Sequence, residues 1–445
     1  MIGTIETEEK PKRAFLVSVS GGIKGEKRGH EADEDAIARE LTGLVETLGL
    51  EIAVHEKVHI REKHPKFGMG TGKAQELSDK AREIEADCFV FNGILSPSQQ
   101  RNWEDLSGLP ALDRQELIIR IFADRAQTRE AELQVRLAEL NWSLPRLSHK
   151  YIDLSRQRGG RYGTKGSGET RLETDRRQVE QKIHKLEEEL EKVRKQRQVQ
   201  RRQRERSGIP VCAIVGYTNA GKSSLLNALT GSQVLAEDKL FATLDAASRR
   251  FDAGNGRPAL LVDTVGFIRQ LPHSLIDAFH STLEEVTRSD MLIHVLDASD
   301  PNIDQFYETT LGVLHELNAG KIPMITVLNK IDRLADSVFP GTAGAVGDFS
   351  LEGLLRRYPG AIPVSCETRE GLEDLAARMD QLLSVAAINF SFPANRTDLA
   401  ALLHRNGEVL SEEYEGEFIK VTARVGEEIA GRLAEFITTK DAKEH

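Results

Sequence analysis

Apolar and polar positions along this chain switch repeatedly between a two-residue and a three-to-four-residue period. Short apolar runs at 14–19, 51–58 and 88–91 alternate with helical patterns such as that over 35–48, which predicts a small α/β domain over 13–112 behind a polar tail, 1–12. From 114 to 144 the pattern is helical without a breaker, and Pro145 is expected to close it. Leu172, Val179, Ile183, Leu186, Leu190 and Val193 then recur at helical steps. A second long helix should therefore lay its apolar stripe on the first as a hairpin, giving a helical linker over 113–206. Ser207, Gly208, Ile209 and Pro210 read as a hinge. Beyond it, apolar runs at 211–215, 260–262, 291–296, 324–328 and 362–364 predict a larger α/β domain over 207–385, with a glycine-rich surface loop at 340–347. The last stretch, 386–445, reads strand, helix, strand pair around Gly416, helix, and so a small α+β module.

Composition narrows this picture. With 445 residues, 39% hydrophobic and 29% charged, the chain can fill several globular cores, and no apolar run approaches the length of a membrane span. The start is charged and lacks the apolar centre of a secretory signal. Cys88, Cys212 and Cys366 are far apart, with the first two inside apparent strands, so they read as free thiols of a reducing compartment, and the expected location is the cytoplasm. A monomer is expected. The net charge of −10 excludes the whole molecule as an electrostatic trap for nucleic acid. The stretch 194–206 is strongly basic, and one glycine-rich segment also departs from that balance: between 156 and 177 seven basic residues face three acidic ones among five glycines. Its residues Arg156, Arg158, Arg161 and Lys165 are either part of a flexible connector or a finger for the phosphates of RNA.

Chemistry enters with three motifs in order. Gly216, Tyr217, Thr218, Asn219, Ala220, Gly221, Lys222, Ser223 and Ser224 follow a strand and open a helix, the context in which a GxxxxGKS loop cradles phosphates. The two glycines let successive N–H groups curl inward, Lys222 supplies positive charge to the β- and γ-phosphates, and Ser223 can ligate Mg²⁺. Asp263, Thr264, Val265 and Gly266 close an apolar run, so that Asp263 can hold a magnesium-bound water while the Gly266 N–H faces a γ-phosphate. Asn329, Lys330, Ile331 and Asp332 close another. A carboxylate at Asp332 can accept from both the N1–H and the exocyclic amine of guanine, an edge adenine lacks. Ser365, Cys366 and Glu367 would complete the base pocket with backbone N–H groups. Phe241, Ala242, Thr243, Leu244 and Asp245 lie between the first two motifs, where Thr243 is the candidate to close on Mg²⁺. GTP and GDP are the implied ligands, and Lys222, Thr243 and Gly266 the implied catalytic groups. His294, inside an apolar strand, reads as a packed histidine.

With these pieces placed, the chain resembles the HflX family of ribosome-associated GTPases over nearly its whole length. The marks are the run from Gly159 to Arg177, the phosphate loop, 241–245, Asp263 to Arg269 followed by Leu271, Pro272 and His273, then 298–301 and 95–100. The resemblance implies an α/β P-loop GTPase domain preceded by a family domain and a helical linker. It also implies binding to the large ribosomal subunit and separation of ribosomal subunits under stress. On that partner the basic glycine segment would face RNA. Ala246 stands where the family usually has proline, and Glu367 where lysine or leucine is common. Phe267 occupies the position of the glutamine that orients water in Ras-like enzymes, which implies slow intrinsic turnover. Asparagine at the position of Asn219 implies that K⁺ could sit beside the phosphates. A different class of reading is a GTP-dependent regulator of RNA or protein turnover without productive ribosome engagement. A nucleotide site at 68–73 in the first domain is a weaker idea, since that glycine run lacks phosphate-loop spacing and reads as a turn before a helix.

Overall fold

The computed structural model describes residues 12–21, 31–150, 167–205, 209–232, 240–241, 247–252, 258–269, 285–334, 350–383, 388–425 and 427–438. The N-terminal domain runs β1 (Arg13–Gly21), α1 (Glu31–Thr47), β2 (Glu51–Ile60), α2 (Thr71–Glu83), β3 (Cys88–Phe91), α3 (Pro97–Ser107), β4 (Ala111–Leu112) and α4 (Arg114–Arg125). Its four strands are all parallel, in the order β2-β1-β3-β4; the inner strands β1 and β3 read as apolar runs covered on both faces, whereas the edge strand β2 carries His55, Glu56 and Lys57. Ser96 caps α3: its hydroxyl accepts from the Gln99 N–H while the Gln99 side chain accepts from the Ser96 N–H, and Pro97 opens the first turn.

The linker differs from expectation at two points. The helical pattern from 114 does not run unbroken: α4 ends at Ala126 in extended conformation, and α5 (Arg129–Lys150) starts afresh behind Thr128, whose hydroxyl accepts from the Ala131 N–H. Pro145 does not close that helix but lies inside it. A proline in a helix interior costs about 3 kcal/mol, and here the turn of the exposed Pro145 is anchored from outside. The Arg146 guanidinium lies 3.9 Å over the Trp142 ring, donates to Trp142 O, and reaches Gln100 Oε1 and Asp113 Oδ2 in the N-terminal domain. The partner helix α6 (Ser167–Glu205) begins within the basic glycine segment, so Arg176 and Arg177 sit on it and pair with Glu180 and Glu173. The hairpin closes through the buried Leu190 and the Arg129–Glu189 and Arg197–Glu130 pairs. Arg156, Arg158, Arg161 and Lys165 lie outside the described residues.

The third unit comprises β5 (Val211–Gly216), α7 (Lys222–Thr230), β6 (Ser248–Asp252), β7 (Pro258–Asp263), β8 (Met291–Asp297), α8 (Ile303–Glu316), β9 (Met324–Asn329), α9 (Leu351–Arg357), β10 (Ile362–Pro363) and α10 (Leu372–Leu383). The sheet order is β10-β9-β8-β5-β7-β6, parallel except for the β6 edge. A last module packs α11 (Thr397–Asn406) and α12 (Glu427–Arg432) on an antiparallel sheet of β11 (Ile388–Pro393), β13 (Phe418–Val425) and β12 (Gly407–Glu415). Among the described residues no helix is long and apolar enough to cross a membrane.

One apolar cluster joins the first and third units. Leu41 and Leu44 of α1 and Ile118 and Phe122 of α4 belong to the same core as Val215, Phe267 and Ile268. At its centre Phe122 meets Phe241 edge-on, with ring centroids 4.6 Å apart. Such a pair contributes about 0.5–1.5 kcal/mol beyond its area.

Candidate functional site

Because the strands of the large sheet are parallel, their carboxyl ends share one edge, where an open α/β sheet offers its crevice. Register brings Ile214 opposite Asp263, Gly216 opposite Val295 and Asp297 opposite Asn329. The loop 217–221 leaves β5 there and turns into α7. Gly221 has φ +93°, and a Cβ on it would lie 2.2 Å from Asn329 Nδ2, so both conformation and space demand glycine.

Asn329, almost fully buried, braces this loop: its Nδ2 donates to Ala220 O at 2.9 Å, and its Oδ1 accepts from Cys366 Sγ at 3.2 Å. Lys330, at φ +64°, donates to Asn219 O at 2.8 Å and pairs with Asp297 at 2.7 Å. Two sequence-predicted motifs are thus bonded to each other through side chains. Ser365 is buried and its hydroxyl accepts from the Thr368 N–H, which shapes the turn carrying Cys366 and the exposed Glu367. Burial, and then the nearby Asp332 carboxylate, push the Cys366 thiol up to about 11. Asp332 is half-buried beside it in a short 3₁₀ turn, Ile331–Arg333. The exposed Asn219 holds φ +62°.

On the phosphate side, Lys222 Nζ donates to Tyr217 O at 2.8 Å, and burial pulls its ammonium down to about 8 against the opposing pull of Asp263. A bound polyphosphate would restore the full charge. Ser223 Oγ donates to Asp263 Oδ2 at 2.6 Å. This hydroxyl and carboxylate are the hard oxygen donors Mg²⁺ prefers. Among the described residues no group of three His, Cys, Asp or Glu could hold a metal alone, so an ion here would take its remaining ligands from phosphate and water. Once bound it would neutralise charge building on the transferred phosphoryl group.

Gly266 lies against both elements: a Cβ on it would be 2.8 Å from Thr218 Cα and 2.9 Å from Lys222 Nζ. The next residue zips onto the phosphate loop, with Phe267 N donating to Gly216 O at 3.1 Å and Thr218 N donating to Phe267 O at 2.8 Å. The Phe267 ring is buried in the interdomain core and cannot orient a water. Thr264 is likewise turned inward, its hydroxyl donating to Ile214 O, and Val265 joins the core. Phe241 faces the interdomain core at φ +56°. Ala242, Thr243, Leu244 and Asp245 lie outside the described residues. Sequence reasoning missed Asp297, the partner of Lys330, although it ends an apolar strand as Asp263 does.

A parallel sheet whose phosphate loop, Asp-x-x-Gly turn and Asn-Lys-x-Asp turn converge on one edge defines a P-loop GTPase. The family described as 50S ribosome-binding GTPase matches residues 211–330, GTP-binding GTPase N-terminal matches 35–123, and GTP-binding GTPase Middle Region matches 125–204. The chain is 45% identical to the GTPase HflX of Akkermansia muciniphila over 98% of this chain and 100% of that one. It is 40% identical to that of Lacrimispora saccharolytica over 98% of each. A solved GTP-binding protein from Sulfolobus solfataricus in complex with GDP is similar at 27% identity and TM-score 0.42, over 84% of this chain and 98% of that one. The chain belongs to the HflX family of GTPases, and it binds and hydrolyses GTP.

Proposed function

We propose that this GTPase acts on the large ribosomal subunit in the cytoplasm, separating or rescuing ribosomes under stress, with GTP setting its affinity for that partner. Residues Gly216 to Ser224 hold the phosphates, Ser223 and Thr243 ligate Mg²⁺ with Asp263 acting through a water, and Asn329, Asp332, Ser365 and Cys366 select guanine. The observation that carries the site is the Asn329 bridge from Cys366 to Ala220, which makes base pocket and phosphate loop one rigid unit. The ribosomal part is supported by family membership and by a chain whose surplus of positive charge is local, around 156–165 and 194–206, rather than global. Phe267 leaves the site without a water-orienting side chain, which favours a partner that completes it. Co-sedimentation with purified subunits across a salt series tests the reading. Binding to the large subunit should be stronger with a non-hydrolysable GTP analogue than with GDP. Replacing Arg156, Arg158 and Arg161 by alanine should weaken it and flatten its salt dependence without altering hydrolysis by the free protein. Binding that ignores nucleotide and these arginines alike would favour a regulator of turnover that does not engage ribosomes.

A further inference from the structure

The seam between the N-terminal domain and the phosphate loop carries a polar cluster that ties Tyr217 of that loop to two residues with no part in the site described above. Glu40 of α1 and Arg114 of α4 pair at 3.0 Å with side chains only 8% and 4% exposed. Both reach across the seam. Tyr217, in the phosphate loop, donates its hydroxyl to Glu40 Oε1 at 2.5 Å, and that hydroxyl accepts from the Arg269 N–H at 2.9 Å. Arg114 Nη2 donates to Arg269 O at 3.0 Å. The Tyr217 ring stacks on Phe306 with centroids 3.9 Å apart, so the hydroxyl is held in place from behind. Consequently the backbone N–H and C=O of Arg269 are fixed by groups from, or held by, the other domain. Those of Phe267 are fixed by the phosphate loop itself. Gly266, next in line, is set against Lys222 and Thr218 by whatever fixes these residues.

A buried ion pair is an expensive way to glue two domains, since a well-packed apolar pair is often as stabilising. Its placement makes sense as a geometric device. We propose that Glu40 and Arg114 are positioning residues for GTP hydrolysis. They hold 267–269 in register on the phosphate loop so that the Gly266 N–H meets the γ-phosphate, and they thereby make turnover depend on docking of the N-terminal domain. This rests on the assignment of Gly266 to the γ-phosphate. Neither residue belongs to the nucleotide motifs, so removing them should misplace a group without removing a ligand contact. Misplacement by an ångström can cost about 100-fold in rate.

The test is single-turnover hydrolysis by the full chain at saturating GTP, with GDP affinity and thermal midpoint measured alongside. The double variant Glu40→Ala/Arg114→Ala removes both charges together, so neither is left unpaired. It should lose about tenfold in rate while GDP affinity stays within about twofold, the split expected when positioning and not binding is lost. Glu40→Gln keeps an acceptor for Tyr217 and should retain more rate than Glu40→Ala. Tyr217→Phe, the fallback if the double variant does not fold, should also slow hydrolysis and be non-additive with Glu40→Ala. A folded double variant with unchanged or faster hydrolysis overturns the proposal, as does a parallel loss of GDP affinity. Gly266→Ala in the same assay separates the two levels. If it hydrolyses normally the assignment of Gly266 fails, whereas if it is inactive and the double variant is normal, only the positioning role fails.

Discussion

His294 offers a direct measure of what burial costs this GTPase. It lies in β8 with no exposed surface, neither ring nitrogen has a hydrogen-bond partner, and its ring stacks on Tyr307 at 5.3 Å. Burial, helped by the positive charge of Lys222, lowers its pKa from 6.5 to about 3. Between those two values the unfolded chain binds a proton that the folded chain refuses. The stability contribution is therefore fully present above about pH 6.5 and is lost as pH falls, at about 1.4 kcal/mol per unit. At pH 5 the loss is about 2 kcal/mol.

His294→Leu removes this dependence with little change in volume. At neutral pH it relieves an unpaired polar ring, worth about 1–3 kcal/mol, and forfeits a ring contact worth about 0.5–1.5 kcal/mol. The variant should therefore be as stable as the parent or up to about 2 kcal/mol more so. Asp113 and Glu116, whose pKa values burial raises, act in the opposite direction with pH, but both are present in each protein and cancel in the difference. Urea unfolding of both full-length chains at pH 7.5, 6.5 and 5 should show a gap that widens by about 2 kcal/mol in favour of the variant. A gap independent of pH would mean that the ring titrates normally and has found a partner or a water in solution, which would refute the reasoning.

Three further outcomes follow from the site. Asp332→Asn should weaken GTP by about 100-fold and improve xanthine nucleotides relative to it, because an amide cannot accept both guanine donors. Equal GTP affinity in a fluorescent-nucleotide titration would remove Asp332 from the base pocket. Gly221→Ala should cost about 100-fold or more in GDP affinity, since its Cβ would sit on the Asn329 amide that braces the loop. Retained affinity would show that the loop and Asn329 can separate freely. Hydrolysis in potassium should exceed that in sodium by about tenfold if Asn219 holds a cation beside the phosphates, and equal single-turnover rates would leave Asn219 as a brace only.

Motifs that depend on local sequence were legible because local geometry enforces them. Gly221 must be glycine for its φ and for the Asn329 contact, and the strand before each acidic or amide turn is apolar because it is buried on both faces. The run 95–100, visible only as a family mark, is a helix start: Ser96 and Gln99 cap each other and Pro97 fits the first turn. Errors arose where tertiary contacts override local preference. Pro145 ought to end a helix, yet Arg146 ties that turn to Trp142, Gln100 and Asp113. The break at 126–128 has a sequence signal of its own, since Thr128 with Glu130 and Glu132 in the first turn marks a new helix start.

What no local pattern could reveal is which helix face meets the phosphate loop. Glu40 sits in a helix rich in charge and, as sequence, is one more solvated carboxylate; its partner Tyr217 is 177 positions away. Periodicity assigns Leu41, Leu44 and Val45 to a core, but not to a core shared with Phe267 and Ile268 of another domain. Once that shared core is known, the polar residues at its rim acquire meaning. A carboxylate buried beside an apolar seam must be paired, and here the available partners are Arg114, the phosphate-loop tyrosine and the amide of Arg269. The residues that sequence motifs identify can hold nucleotide. The backbone of Arg269, three residues beyond Gly266, is bonded to Arg114 and to a tyrosine held by Glu40, residues with no motif and from another domain.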